Sequence, residues 1–291
     1  MNTSFRIDHI VILVDDLAIA IEDYRTLGFT VVPGGQHEKW GSHNALISLG
    51  DGVYVELIAF GNRSPSPDQR TGKEVCAEQL REAGRSVVES RVLAWQGPAE
   101  GLIDFALLPD NVGAAIAWAR ENGLQVEGPF SGGRMRPDGQ AVRWDLGIPG
   151  TFDVPFLCGD VTDRSCRVPA GDAVKHANGA GGVDQMTIAV TDLDASVMRY
   201  KALLGTAPQP VGSNLPDTQT ATLVIGSVRI MLAMPTSTRS PLWPALSSRG
   251  QGPVRLDLRT ADYSKLGLVD PALAHGAEIS LVGRDNRSMG V

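Results

Sequence analysis

The feature that most constrains this chain is a long internal repeat. Residues 7–28 read IDHIVILVDDLAIAIEDYRTLG and residues 183–205 read VDQMTIAVTDLDASVMRYKALLG, with Val14 matched to Val190 at an offset of 176 residues. One extra residue before the closing glycine absorbs the remaining difference. A fainter copy, IDFALLPDNVGAAIAWARENGLQVEGP from Ile103 to Pro129, matches Asn111 to Asp16 and Gly123 to Gly28 at an offset of 95. A fourth stretch, Val254 to Gly283, repeats the same order of features. Repetition of this kind means that one supersecondary unit, unable to bury its apolar face alone, is used several times.

The first copy defines the unit. Arg6 to Val14 is a β-branched apolar run and predicts a strand. Asp15 and Asp16 are candidate N-caps for a helix in which Leu17, Ile21 and Tyr24 recur at helical spacing up to Leu27, with Gly28 as the stop. A strand resumes over 29–32, and two more follow over 44–49 and 53–60, joined at the Asp51-Gly52 turn. The unit is βαβββ. The second copy completes itself with strands over 141–146 and 153–158, and the third with strands over 220–225 and 228–234. Small and polar residues from Asp163 to Gly182 read as a connection. The predicted division is a two-module domain over 1–165, a linker over 166–181 and a second, degenerate domain over 182–291. After Val282 only GRDNRSMGV remains, so the fourth module is incomplete within these residues.

Composition excludes several classes. At 43% hydrophobic and 20% charged residues the chain can bury a real core. A net charge of −7 without a dense Lys/Arg run argues against nucleic acid; Arg134, Arg136 and Arg143 suit a small acidic ligand at most. No stretch approaches the roughly 20 apolar residues of a membrane span, and MNTSFRIDH lacks the order of a signal peptide, which predicts a cytoplasmic protein. Cys76, Cys158 and Cys166 form no CxxC pair, so neither a disulfide framework nor a thiolate zinc site is indicated.

Repeated βαβββ units with a histidine in the first strand and a glutamate in the last resemble the vicinal oxygen chelate superfamily, which includes glyoxalase I, extradiol dioxygenases, epimerases and antibiotic-binding resistance proteins. IDHIVILVDDL, GGQHEKWGSHNALISLGDGVYVELI and the module after them are similar to the glyoxalase-like domain family, well over residues 5–160 and more loosely beyond. The resemblance implies an α+β fold whose paired modules curl mixed sheets into cups. It also implies a divalent metal ion (Fe, Mn, Ni, Co or Zn) held from the first and fourth strands, here by His9 and Glu56. The third ligand would be Asp104, which matches His9 at the offset of 95, or His37 reaching in from a loop; a shift of one puts Phe105 in place of Asp104. In the third module the matching residues are Gln185 and Met231, and thioether suits these ions poorly, so the C-terminal cup is expected to have lost its metal.

The residues themselves leave alternatives. His9 is a metal ligand or a strand cap bonded to Asp8. Glu56, between Val55 and Leu57, needs a metal, a histidine or a cation to be buried. HEKWGSH is either a solvated loop or one that closes over the cup. In the second case Trp40 is a wall, His43 and Asn44 meet substrate, and His37 is the candidate general base beside Glu56. Arg143 and Asp145, flanking Trp144 at period two, face the cup as substrate contacts or pair on its outer side. Gly132 to Arg136 reads as a flexible basic loop able to take an anionic group, and His176 and His275 as linker and surface residues. The expected function is a metal-dependent isomerase or lyase acting on a small oxygen-chelating substrate, with extradiol-type ring cleavage as a variant. The rival is a non-catalytic small-molecule binding or resistance protein that holds a planar compound against Trp40, Trp95 or Trp144. A homodimer is left open.

Overall fold

The structure, a computed structural model, describes residues 4–61 and 72–283. The first module runs β1 (Phe5–Leu13), α1 (Leu17–Thr26), β2 (Val32–His37), β3 (Ser42–Ser48) and β4 (Tyr54–Phe60). Two helices absent from the repeat reading follow, α2 (Lys73–Glu82) and α3 (Val87–Ala94). The second module is β5 (Gly101–Pro109), α4 (Val112–Glu121), β6 (Val126–Met135), β7 (Ala141–Pro149) and β8 (Phe156–Asp160), and a short helix, α5 (Arg164–Arg167), ends it. The C-terminal half contains β9 (Ala180–Ala189), α6 (Leu193–Leu204), β10 (Gln209–Val211), β11 (Thr218–Ile225), β12 (Val228–Pro235), α7 (Trp243–Arg249), β13 (Gly252–Thr260), β14 (Gly267–Leu268) and β15 (Glu278–Gly283).

The repeat is visible in the caps. The Asp16 side chain accepts from the N–H groups of Ala18 and Ile19, that of Asn111 from Ala114, and that of Asp192 from Ala195, so α1, α4 and α6 begin by the same device. In each of the first three modules the first strand pairs in parallel with the last, as β1 with β4, β5 with β8 and β9 with β12. Modules one and two join through β1–β5 and β2–β6 and close an eight-stranded barrel in the order β1-β4-β3-β2-β6-β7-β8-β5. Alternate residues of every strand therefore point into one shared interior. Val88, Val92, Ala94 and Trp95 of the α2–α3 insertion pack with Val11, Leu13, Phe60 and Ile103 in that interior. The rest of it is the cup.

The C-terminal half is an open seven-stranded sheet, β10-β11-β12-β9-β13-β15-β14. β15 lies parallel beside β13, where a full module places its last strand, so among the described residues the fourth module reaches its closing strand with only the two-residue β14 between. Register confirms the correspondence of residues: Gln185 faces Arg229 as His9 faces Tyr54, which puts Met231 where Glu56 stands.

The stretch read as a linker is structured. Its His176 accepts the Thr30 N–H at Nδ1 and donates to the Ser48 carbonyl from Nε2, while the Asn178 amide donates to the Leu27 carbonyl. Among the described residues no helix is long and apolar enough to cross a membrane.

Candidate active site

A bulge in β1 sets up the site. The β1–β5 register slips between Ile7 and His9, re-aiming consecutive side chains so that Asp8 and His9 are both buried. The Asp8 carboxylate, fully enclosed, accepts from Arg164 Nη1 (2.6 Å) and Arg167 Nη2 (2.8 Å) on Oδ1, and from Arg167 Nη1 (2.8 Å) on Oδ2. His9 Nδ1 lies 2.7 Å from the same Oδ2. Burial alone would raise the Asp8 carboxyl, but the Arg167 guanidinium and the His9 ring hold it well below the usual carboxylate range. An ionised Asp8 accepts a hydrogen bond from the His9 Nδ1–H and turns Nε2 toward Glu56. Tyr54 stacks on the ring at 4.9 Å between centroids, and Phe156 meets it edge-on.

That Nε2 lies 3.5 Å from Glu56 Oε2. β4 carries Glu56 inward with Tyr54 and Ile58, and Asn44 from β3 donates to Oε1 at 2.5 Å. His37 ends β2 and is buried, with Nδ1 3.1 Å from Ser42 Oγ. Burial pushes its imidazole down to about 4, so it is unprotonated at neutral pH. These groups share a cavity of ≈ 630 Å³, counted to its open mouth, whose apolar walls include Trp40, Trp95, Trp144, Leu146 and Phe156.

The pairing of His9 with Glu56, expected from the strands, is present. So is His37, although HEKWGSH is not a long loop: His37 and His43 lie inside β2 and β3, joined by a tight turn that carries Trp40 to the cavity. Asn44 touches Glu56, which makes it an orienting group. His43 is half-buried and outside the cavity lining.

Three expectations need correction. The structure does not bring Asp104 to the pair: its carboxylate takes a two-pronged contact from Arg91 (2.8 and 2.9 Å) and a bond from Trp95 Nε1. By strand register the second-module counterpart of His9 is Ala106 and that of Glu56 is Cys158, because the offset that aligns the helix caps slips by two residues in the strand. Trp144 and Leu146 face the cavity, so alternation turns Arg143 and Asp145 to the outside, where they form no ion pair with one another. Gly132 to Arg136 is mostly strand β6, paired along β7, and it places Arg134 in the cavity wall.

Sequence reasoning missed Arg167, placed in the linker although it is 2% exposed and binds Asp8, Asp160 and Tyr54. The signal available was Asp8 itself, an acid in an apolar strand that demands a buried cation.

Part of the donor set suits a divalent ion. His9 Nε2 and Glu56 Oε2 are spaced as two ligands of one ion, and the carboxylate behind Nδ1 fixes the tautomer that coordination requires. Asp8, His9 and Cys158 also bring donor atoms within 4.8 Å of one another. Asp8, however, has both oxygens committed to arginines, and burial pushes the Cys158 thiol up, keeping it protonated. The residues fit an open site with two protein ligands, His9 and Glu56.

A family model described as a glyoxalase-like domain matches residues 7–204. No curated protein matches the chain. Among solved structures, a hypothetical protein from Staphylococcus aureus is 14% identical with a TM-score of 0.67, covering 96% of this chain and 99% of its own. A xylose isomerase-like TIM barrel/4-hydroxyphenylpyruvate dioxygenase fusion protein is 14% identical with a TM-score of 0.60, covering all of this chain and 51% of its own. Methylmalonyl-CoA epimerase from Mycobacterium tuberculosis, 23% identical, covers 38% of this chain and 91% of its own at a TM-score of 0.33.

Proposed function

For a chain that belongs to the glyoxalase-like domain family, a branch of the vicinal oxygen chelate superfamily, we propose isomerase or lyase chemistry on a small oxygen-bearing substrate in the N-terminal cup. The observation that carries this reading is the His9–Glu56 pair, 3.5 Å apart, backed by Asp8 and facing an apolar cavity. A divalent ion bound there would supply Lewis-acid polarisation of a carbonyl or enediolate oxygen. Glu56 has one oxygen held by Asn44 and the other turned to His9, so Oε2 is the carboxylate atom available to ion or proton. His37, unprotonated at neutral pH, offers a second lone pair for proton transfer. The tryptophan walls make the surroundings of the reacting end apolar.

The test is elemental analysis of protein purified without chelator, beside the His9→Ala, Glu56→Ala double variant. Near-stoichiometric metal in the wild type that is lost in the variant supports the enzyme reading. No metal in either, even after reconstitution with Mn²⁺, Fe²⁺, Ni²⁺, Co²⁺ or Zn²⁺, sinks it. The second reading, a metal-free binding protein, then leads; it is favoured by Ala106 and Cys158, which leave the second module without the matching ligands.

A further inference from the structure

Among the described residues three arginines line the cup, and they are not equivalent. Arg91 is matched by Asp104, and Arg167 by Asp8 and Asp160. Arg134 has no ion pair among the described residues. It is 7% exposed, spends Nη2 on the Arg167 carbonyl (2.7 Å), and leaves its buried Nε–H without a hydrogen-bond partner. Glu56 acts on Arg134 only at a distance, without an ion-pair contact, and a buried guanidinium with no carboxylate in contact is costly, a cost that a bound anion would offset.

We infer that Arg134 is the anion-binding arm of the cavity and that its ligand is a largely apolar molecule bearing one carboxylate. This rests on the cavity being the working site, and not on a metal being there. The guanidinium fork matches a carboxylate in shape and charge. Among the described residues no lysine joins it in the lining and the other two arginines are already neutralised, so this single positive charge suits a monoanion better than a phosphate dianion. The surrounding Trp144, Trp40, Ile58 and Leu146 specify an apolar or aromatic body. Such a ligand would lie with its carboxylate on Arg134 and its neighbouring atoms toward His9 and Glu56.

Phenylacetate and its neutral isostere phenylacetamide test this on the full chain dialysed free of divalent ions, with tryptophan fluorescence as the readout. The acid is expected to bind at least about tenfold more tightly than the amide, from the charge-assisted bonds it alone can make. Arg134→Gln should abolish that preference while melting no lower than the wild type, because it removes an unmatched charge. Arg134→Lys, which keeps the charge without the fork, should retain part of it. Equal binding of acid and amide, or no saturable quenching by the acid at about 10 mM, where a 1 mM site would be mostly filled, overturns the assignment. So does a preference that survives Arg134→Gln, or a marked fall in melting temperature in both variants, which would make Arg134 a structural strut. A preference that appears only after Mn²⁺ is added assigns the carboxylate to the metal and overturns the role of Arg134. Acid preference in a protein that never takes up metal leaves Arg134 in place and removes the metal reading alone.

Discussion

At the scale of single residues, the cup is governed by which buried charges are matched. Asp104 and Arg91 lie 13 positions apart in sequence, yet the carboxylate is fully enclosed and bound by both prongs of the guanidinium. Arg91 also donates to the carbonyls of Pro149, Thr151 and Val154, so the pair ties α3 to the loop before β8. Asp104→Asn removes one charge of a buried pair and leaves the other, a change that costs about 3–5 kcal/mol. Urea unfolding should show that loss, and the folded variant should retain any metal, since Asp104 is not at the His9–Glu56 pair; retained stability would mean that Arg91 is satisfied by carbonyls alone. The contrast with Arg134→Gln, where no loss is expected, separates a structural arginine from one that awaits a ligand. These distinctions were only partly legible in the sequence. An acid in an apolar strand announces that a partner exists, but Asp8 finds its partner in Arg167, 159 residues away, and only the closed barrel brings them together.

At the scale of elements, period-two alternation was legible while its phase was not. Alternation groups Arg143 with Asp145 and opposes both to Trp144, but it does not say which set faces inward until the barrel closes. Glycine depletion in strands made β6 look like a loop. Its glycines have a packing reason instead: a Cβ at Gly132 would lie 2.2 Å from Trp144 Nε1, so glycine is what lets the indole lie flat across the hairpin. Gly132→Ala should therefore displace Trp144, destabilise the protein by about 1–3 kcal/mol and weaken phenylacetate quenching. Arg143→Ala, on the outer face of β7, should change stability by no more than about 0.5 kcal/mol and leave binding intact. The reverse result, with Arg143→Ala affecting binding and Gly132→Ala silent, would place the cavity on the other face of the hairpin. The α2–α3 insertion was unreadable for a different reason: it belongs to no repeat, and its sequence gives no sign that its apolar face fills a barrel.

At the scale of the whole molecule, the degenerate half is fastened to the cup by polar contacts that no single module reveals. Asp51 pairs with Arg259, and the enclosed Asp153 accepts from Ser196 and Arg199. The third fastening is His275, read from the sequence as a surface residue. Its Nδ1 lies 2.9 Å from Glu100 Oε1 and its Nε2 3.1 Å from Asp23 Oδ2, so the protonated ring bridges two carboxylates of the N-terminal half. Tyr24 stacks against it, and Arg249 donates to the Glu100 carbonyl. Hydrogen bonding to Glu100, ahead of the opposing effect of burial, raises the His275 imidazole above its ordinary value. A histidine raised on folding stabilises fully below its unfolded value near 6.5 and loses that contribution as pH climbs through the folded one. His37 and His176, held down by burial, act with the opposite sign, costing stability as pH falls below the same value. Total stability against pH is thus a blend, and the contribution of His275 is isolated by comparison with His275→Asn, a side chain that tolerates the left-handed backbone at this position (φ 51°). The gap in melting temperature between wild type and variant should be widest near pH 5.5 and shrink toward about pH 8.5. A gap that stays constant across that range would mean His275 holds the halves together as a neutral ring, by packing on Tyr24 and not by charge.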